Sequence, residues 1–181
     1  MKIILSVLLA GLFFLPASAQ FTNATLQATG LTCAMCSNAV NKSLQKVGFV
    51  ESVRSDIKNS SFNVVFKAGM PVDIDALKDA VEDAGFSVGS LKLIGTMDGI
   101  NAKPDSHVKI GDSNFHILNA TGTPLSGQQT IWIVDKDYVS AKEFKKLSSL
   151  SKMACVNTGK AESCCSNEGM KAGSRVYHIT I

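Results

Sequence analysis

Cys33 and Cys36 stand three residues apart in "GLTCAMCSNAV", residues 30–40, and three more cysteines follow at 155, 164 and 165. Two thiols at this spacing can form a short disulfide, cycle as a redox pair or clasp a metal ion. A cysteine at a helix start meets unsatisfied backbone N–H groups and the positive end of the helix dipole, so its thiolate is favoured there. Thiolates select soft or borderline ions, notably Cu(I) and Zn(II). Two ligands from one loop leave the ion open on one side, which suits an ion that is passed on; a closed four-ligand site suits one that is kept.

The elements that must position this pair are readable on either side of it. Ala24 to Thr29 alternates as a short strand, and from Cys36 onward Ala39, Val40, Leu44 and Val47 recur at helical spacing, with Gly48 as a stop. Val50 to Asp56 and Ser61 to Phe66 are expected to form a hairpin about Lys58–Ser61. Asp73 or Asp75 caps a second helix whose Ile74, Leu77, Val81 and Ala84 share a face, Gly85 ends it, and Ser87 to Leu93 is a closing strand. That order is βαββαβ, the ferredoxin-like α+β pattern with both helices on one face of an antiparallel sheet.

Residues 24–93 resemble the heavy-metal-associated (HMA) domain, the module of copper chaperones, of amino-terminal domains in metal-pumping ATPases and of exported mercury-binding proteins. The resemblance rests on "GLTCAMC" before a helix, on Val40 and Leu44, and on "DAGF" at residues 83–86. It implies a metal ion held by Cys33 and Cys36, Cu(I) foremost with Hg(II) or Zn(II) as alternatives, and exchange of that ion with the cysteines of a protein partner. The family's usual Met two residues before the first cysteine is Leu31 here. Phe86 stands where several soluble chaperones have a lysine and pump domains often an aromatic. The competing readings of the pair are a plain Cys33–Cys36 disulfide, a thiol–disulfide oxidoreductase, and a fold that only recognises another protein. Met35, between the cysteines, is expected to shield the loop or touch a partner rather than to be a ligand.

The chain has 181 residues, and residues 1–19 have the pattern of a secretory signal: Lys2, an apolar run to Leu15, then Ala17-Ser18-Ala19. Export to a periplasmic or extracellular space is therefore expected. The apolar run is too short to span a bilayer, which takes about 20 residues, and no membrane span is expected later. Beyond residue 19 there are 17 basic and 15 acidic residues, a balance too even to imply a nucleic-acid partner. No catalytic constellation is visible, so no enzyme activity is expected.

Residues 94–106, "IGTMDGINAKPDS", read as a linker between the first domain, 20–93, and a second small β-rich domain, 107–181. In the second, Val108 and Ile110, Phe115 and Ile117, and Ile131 to Val134 suggest strands, with turns at Gly111-Asp112 and Gly122–Gly127. Ser140 and Glu143 form a capping box with a Val139–Phe144 staple on a helix to about Leu150. Strands near Met153–Val156 and Arg175–Ile181 would complete the element order of an OB-type barrel. Cys155 is expected to pair with Cys164 or Cys165; the alternative is a second soft-metal site from these cysteines with Met153 or Met170. His107, His116 and His178 are scattered and read as exposed or satisfied residues.

Overall fold

A computed structural model describes residues 20–120, 124–163, 165 and 169–181. The expected signal segment and Cys164 lie outside the described residues. The first half is built as its sequence predicts: β1 (Gln20–Thr29), α1 (Ala34–Gln45), β2 (Val50–Asp56), β3 (Ser61–Phe66), α2 (Ile74–Asp83) and β4 (Ser87–Asn101). β3 and β4 flank β1, and β2 pairs outside β3, all antiparallel. Val40 and Leu44 of α1 and Ile74, Leu77, Ala80 and Val81 of α2 are buried in one cluster with Ala24, Leu26, Phe62, Val64, Leu91 and Leu93 of the strands. Ala39, read as part of the buried face of α1, is exposed, and Ser37 is buried instead. Asp73 caps α2 by accepting from the Asp75 and Ala76 amides.

β4 departs from expectation. It runs 15 residues, so the segment read as a linker is strand as far as Asn101. Its Gly and Asp residues are absorbed at a register shift between Met97 and Ile100, where Gly99 takes a φ of 63°. The outer edge of this long strand pairs with β7 (Pro124–Ile133), Leu91 opposite Ile133 and Leu93 opposite Ile131.

The rest of the chain extends the same sheet. β5 (Ser106–Ile110), β6 (Ser113–Asn119) and β8 (Val176–Thr180) complete eight strands in the order β2-β3-β1-β4-β7-β8-β6-β5, with β6 and β8 parallel. This open sheet, with edges at β2 and β5, replaces the OB-type barrel expected for residues 107–181. Phe115, Ile117, Ile131, Ile133, Tyr177 and Ile179 join the core of the first half, and Phe21 meets Phe115 edge to face at 5.9 Å. The alternate residues of the same strands face the other way. There Leu118, Val134 and Val176 pack with Val139, Cys155, Val156, Ala161 and Cys165 in a second, smaller cluster.

Helix α3 (Ala141–Ser148) starts on the expected cap, Ser140 accepting from the Glu143 amide. The strand expected at Met153–Val156 is instead a one-turn helix, α4 (Cys155–Thr158), closed by Gly159 at φ 66°. Four residues are too few for periodicity to separate strand from helix, and burial of Cys155 and Val156 against the sheet decides it.

Candidate functional site

The loop between β1 and α1 is set by what surrounds it. Gly30 has a φ of +82°, a conformation that side chains rarely adopt, and a Cβ placed on it would lie 3.8 Å from the Phe86 ring. Leu31 and Phe86 are both half-buried and pack on the main core, so the loop has an apolar footing on each side. Cys33 then takes the N-cap position of α1 in extended backbone (φ −152°, ψ 161°), and its sulfur accepts from the Cys36 amide at 3.3 Å. Capping by a thiol where Ser, Thr, Asp or Asn usually stands places the sulfur over the positive end of the helix. No acidic residue occupies the first turn of α1 to compete with it.

Cys36, in the first turn, faces its partner: the two sulfurs are 2.6 Å apart. The hydrogen bond from the Cys33 thiol, with backbone and hydroxyl donors of Thr32, holds Cys36 below the ordinary thiol range; desolvation opposes this and is outweighed. Cys33 is exposed and Cys36 half-exposed, while Met35 between them is 83% exposed and reaches away from the core. The pair therefore has protein on one side and solvent on the other. Such a site offers a soft ion two sulfur ligands and leaves room for an incoming third.

The model of the heavy-metal-associated domain matches residues 25–87. Over 66 residues the chain is 30% identical to copper chaperone CopZ of Staphylococcus haemolyticus, which covers 36% of this chain and 96% of that protein. The chain belongs to the heavy-metal-associated domain family. A probable copper-transporting ATPase, HMA5 of Arabidopsis thaliana, is 25% identical over 71 residues; this covers 39% of the chain but 7% of the ATPase. Among solved structures, a copper-binding domain of the P-type ATPase HMA7 is 30% identical over 40% of this chain and 92% of that one, with a TM-score of 0.34. The yeast copper transporter domain Ccc2a is 25% identical over 37% and 90%, with a TM-score of 0.33.

The heavy-metal-associated domain thus ends near the start of β4, and a second group of metal-ligating side chains lies wholly beyond it. His107, His116 and Cys155 bring one ligand atom each to within 4.8 Å of one another, and the Cys165 sulfur lies 3.3 Å from His107 Nε2. Reading the histidines as scattered was wrong in space. His107 is directly opposite His116 across β5 and β6, and His116 is beside His178 across β6 and β8. Met153 and Met170, considered as ligands with the late cysteines, pack on the rim of the smaller apolar cluster.

Proposed function

We propose that this protein carries a soft metal ion, Cu(I), between the sulfurs of Cys33 and Cys36 and hands it on by ligand exchange with a partner's thiols. The observation that carries this reading is the Cys33 cap with the lowered Cys36 thiol behind it, two sulfurs presented together at an exposed helix start. Membership of the heavy-metal-associated family, and copper in the names of its relatives, support the choice of ion.

With bonds of ~2.3 Å, the length typical of thiolates on a d10 ion, an ion seated between the sulfurs pushes them apart to ~4 Å or more. The Gly30–Thr32 loop is the element free to give, since Cys36 is held in the helix. A third thiolate approaching from the open side then forms a shared intermediate; departure of one of Cys33 and Cys36 makes room for a second partner thiolate, and departure of the other completes the transfer. Only ligands are exchanged, and no bond of an organic substrate is made or broken. Residues 1–19 would direct this carrier out of the cytoplasm, so it would work where copper is delivered or sequestered outside the cell's reducing interior.

The test is Cu(I) titration of the reduced chain in competition with a Cu(I) chelator, repeated on Cys33→Ser, Cys36→Ser and their double variant. Loss of one Cu(I) equivalent in each variant is expected. Unchanged binding in the double variant would sink the reading, and a preference for Hg(II) over Cu(I) in the same competition would change the ion assigned.

A further inference from the structure

We propose that His107, His116, Cys155 and Cys165 form a second, buried site for a d10 metal ion, Zn(II) or Cu(I), separate from the Cys33–Cys36 pair. The four residues come from four segments, β5, β6, α4 and the chain before residue 169, and nothing in their sequence spacing requires them to meet.

Distances support the assignment. The Cys155 sulfur lies 3.7 Å from His107 Nε2 and 3.7 Å from His116 Nδ1, and the Cys165 sulfur lies 3.3 Å from His107 Nε2. A tetrahedral ion with metal–nitrogen bonds of ~2.05 Å and metal–sulfur bonds of ~2.3 Å holds its nitrogen and sulfur donors ~3.6 Å apart. These three nitrogen–sulfur pairs already stand close to that spacing, and His107, His116 and Cys155 keep one ligand atom each within 4.8 Å of one another, with Cys165 reaching the group through His107. Cys155, Cys165 and His116 are fully buried, and His107 keeps part of its surface in solvent.

The groups behind the ligands are arranged as metal sites require. Asp105 Oδ1 lies 3.0 Å from His116 Nε2, so the carboxylate takes the Nε2–H and leaves the Nδ1 lone pair directed at Cys155. The next histidine in the row is fixed in the same manner: Asp135 Oδ1 holds His178 Nδ1, and the His178 ring meets His116 edge to face at 5.2 Å. His178 is fully buried, and its Nε2 has no hydrogen-bond partner among the described residues.

Charge bears on which ion fits. Binding releases the protons of the two thiols, giving two thiolates and two neutral imidazoles. With Zn(II) the assembly is neutral; with Cu(I) it carries one negative charge, which a buried site tolerates less well. Two nitrogens and two sulfurs are also a set that tetrahedral Zn(II) adopts. Four protein ligands close the coordination sphere, so this site would keep its ion and pin α4 and Cys165 onto the β5-β6-β8 face, whereas Cys33 and Cys36 exchange theirs.

The decisive experiment uses the reduced chain carrying Cys33→Ser and Cys36→Ser, its remaining thiols counted before metal is added. Titration with Zn(II) in one arm and Cu(I) in the other, each against a chelator, is expected to give one tight equivalent in at least one arm, and the tighter arm names the ion. Co(II) in place of Zn(II) should give thiolate-to-metal charge-transfer absorption, a readout on the parent protein that does not depend on further variants folding. His107→Gln or Cys165→Ser should weaken binding more than ~100-fold, and Asp105→Asn, one shell out, ~10–100-fold. Uptake of neither ion with the thiols reduced overturns the proposal. If the unmutated chain then still binds one Cu(I), the Cys33–Cys36 reading stands without it.

Discussion

Arg175 Nε donates to Asp75 Oδ2 at 3.0 Å across 100 residues of sequence, tying the entry to β8 to the first turn of α2. The same guanidinium reaches Asp135 Oδ2 at 2.8 Å, the carbonyls of Gly159 and Val176, and the Tyr177 ring at 4.1 Å. Tyr138 completes the joint by donating to Asp75 Oδ1 at 2.7 Å. The heavy-metal-associated half and the remainder are therefore joined by a polar clasp as well as by the shared core. Replacing Arg175 by Met leaves Asp135, only 6% exposed, with the ring and backbone amide of His178 still bonded to it but without the guanidinium. That variant should lose about 2–3 kcal/mol, below the full figure for breaking a buried pair because Arg175 is one-third exposed. Asp75→Asn, at the more exposed end, should cost about 1 kcal/mol. Denaturant unfolding checks both, and equal costs would show that Asp135 does not depend on Arg175.

The clasp also sets a pH dependence. Partial burial pushes the Asp75 carboxyl up, but hydrogen bonds from Arg175 and Tyr138 and the Arg175 charge outweigh it and leave the group below its ordinary value. A depressed folded-state value means that the unfolded chain binds the proton more readily. Asp75 therefore contributes its full stabilisation above the unfolded value of ~3.9 and loses it as pH falls through the folded value. The gap in thermal midpoint between the unmutated chain and Asp75→Asn should be constant from pH 7 to about pH 5 and shrink below about pH 4. A gap that persists to pH 3 would remove Asp75 as the titrating group.

Pairing of β4 with β7 predicts how the chain unfolds. The edge of β4 is covered by Ile131 and Ile133, and one apolar cluster runs from Phe21 to Ile179. Residues 20–181 should unfold in a single transition with coincident probes. A fragment ending at Leu93 should lose that edge pairing and the Phe21–Phe115 contact, and so melt at lower temperature or associate through the bared strand. Two separate transitions in the whole chain, the first matching the fragment, would contradict a shared core.

How far the sequence carried these conclusions depended on whether the information was local. The βαββαβ order, the Asp73 and Ser140 caps and a helix opening beside the cysteine pair all follow from residues a few positions apart, although α1 opens at Ala34 with Cys33 as its cap and not at Cys36 as the periodicity suggests. Gly95, Asp98 and Gly99 give the second half of β4 the look of a loop, whereas Gly95 pairs with Gln129 and a register shift between Met97 and Ile100 takes up Asp98 and Gly99. The histidine row was hidden for a different reason. His107, His116 and His178 each alternate with apolar neighbours on a strand, the usual mark of a solvent-facing position. What reverses that reading is the cover of α4 and the parallel β6–β8 pairing, which joins residues 62 positions apart and has no short-range signature.

Phe86 offers a test of the loop itself. Its ring stands within contact distance of Gly30, 3.8 Å from where a Cβ would be, half-buried beside the turn that leads to Cys33. Phe86→Ala removes that footing and should destabilise the metal-free protein by about 2 kcal/mol, short of the cost in a fully enclosed core because one side of the ring is wet. Both sulfurs remain, so the Cu(I) stoichiometry should not change. The looser loop must be ordered when the ion binds, so affinity should fall by a few-fold and release to a chelator should quicken. Phe86→Lys would add a positive charge beside two thiolates and, by favouring the charged sulfurs, recover part of the affinity while leaving the packing loss. Thermal midpoints of the metal-free proteins and release rates from the Cu(I) forms separate the two effects. If both variants released Cu(I) at the unmutated rate, Phe86 would be packing alone, with no hold on the site.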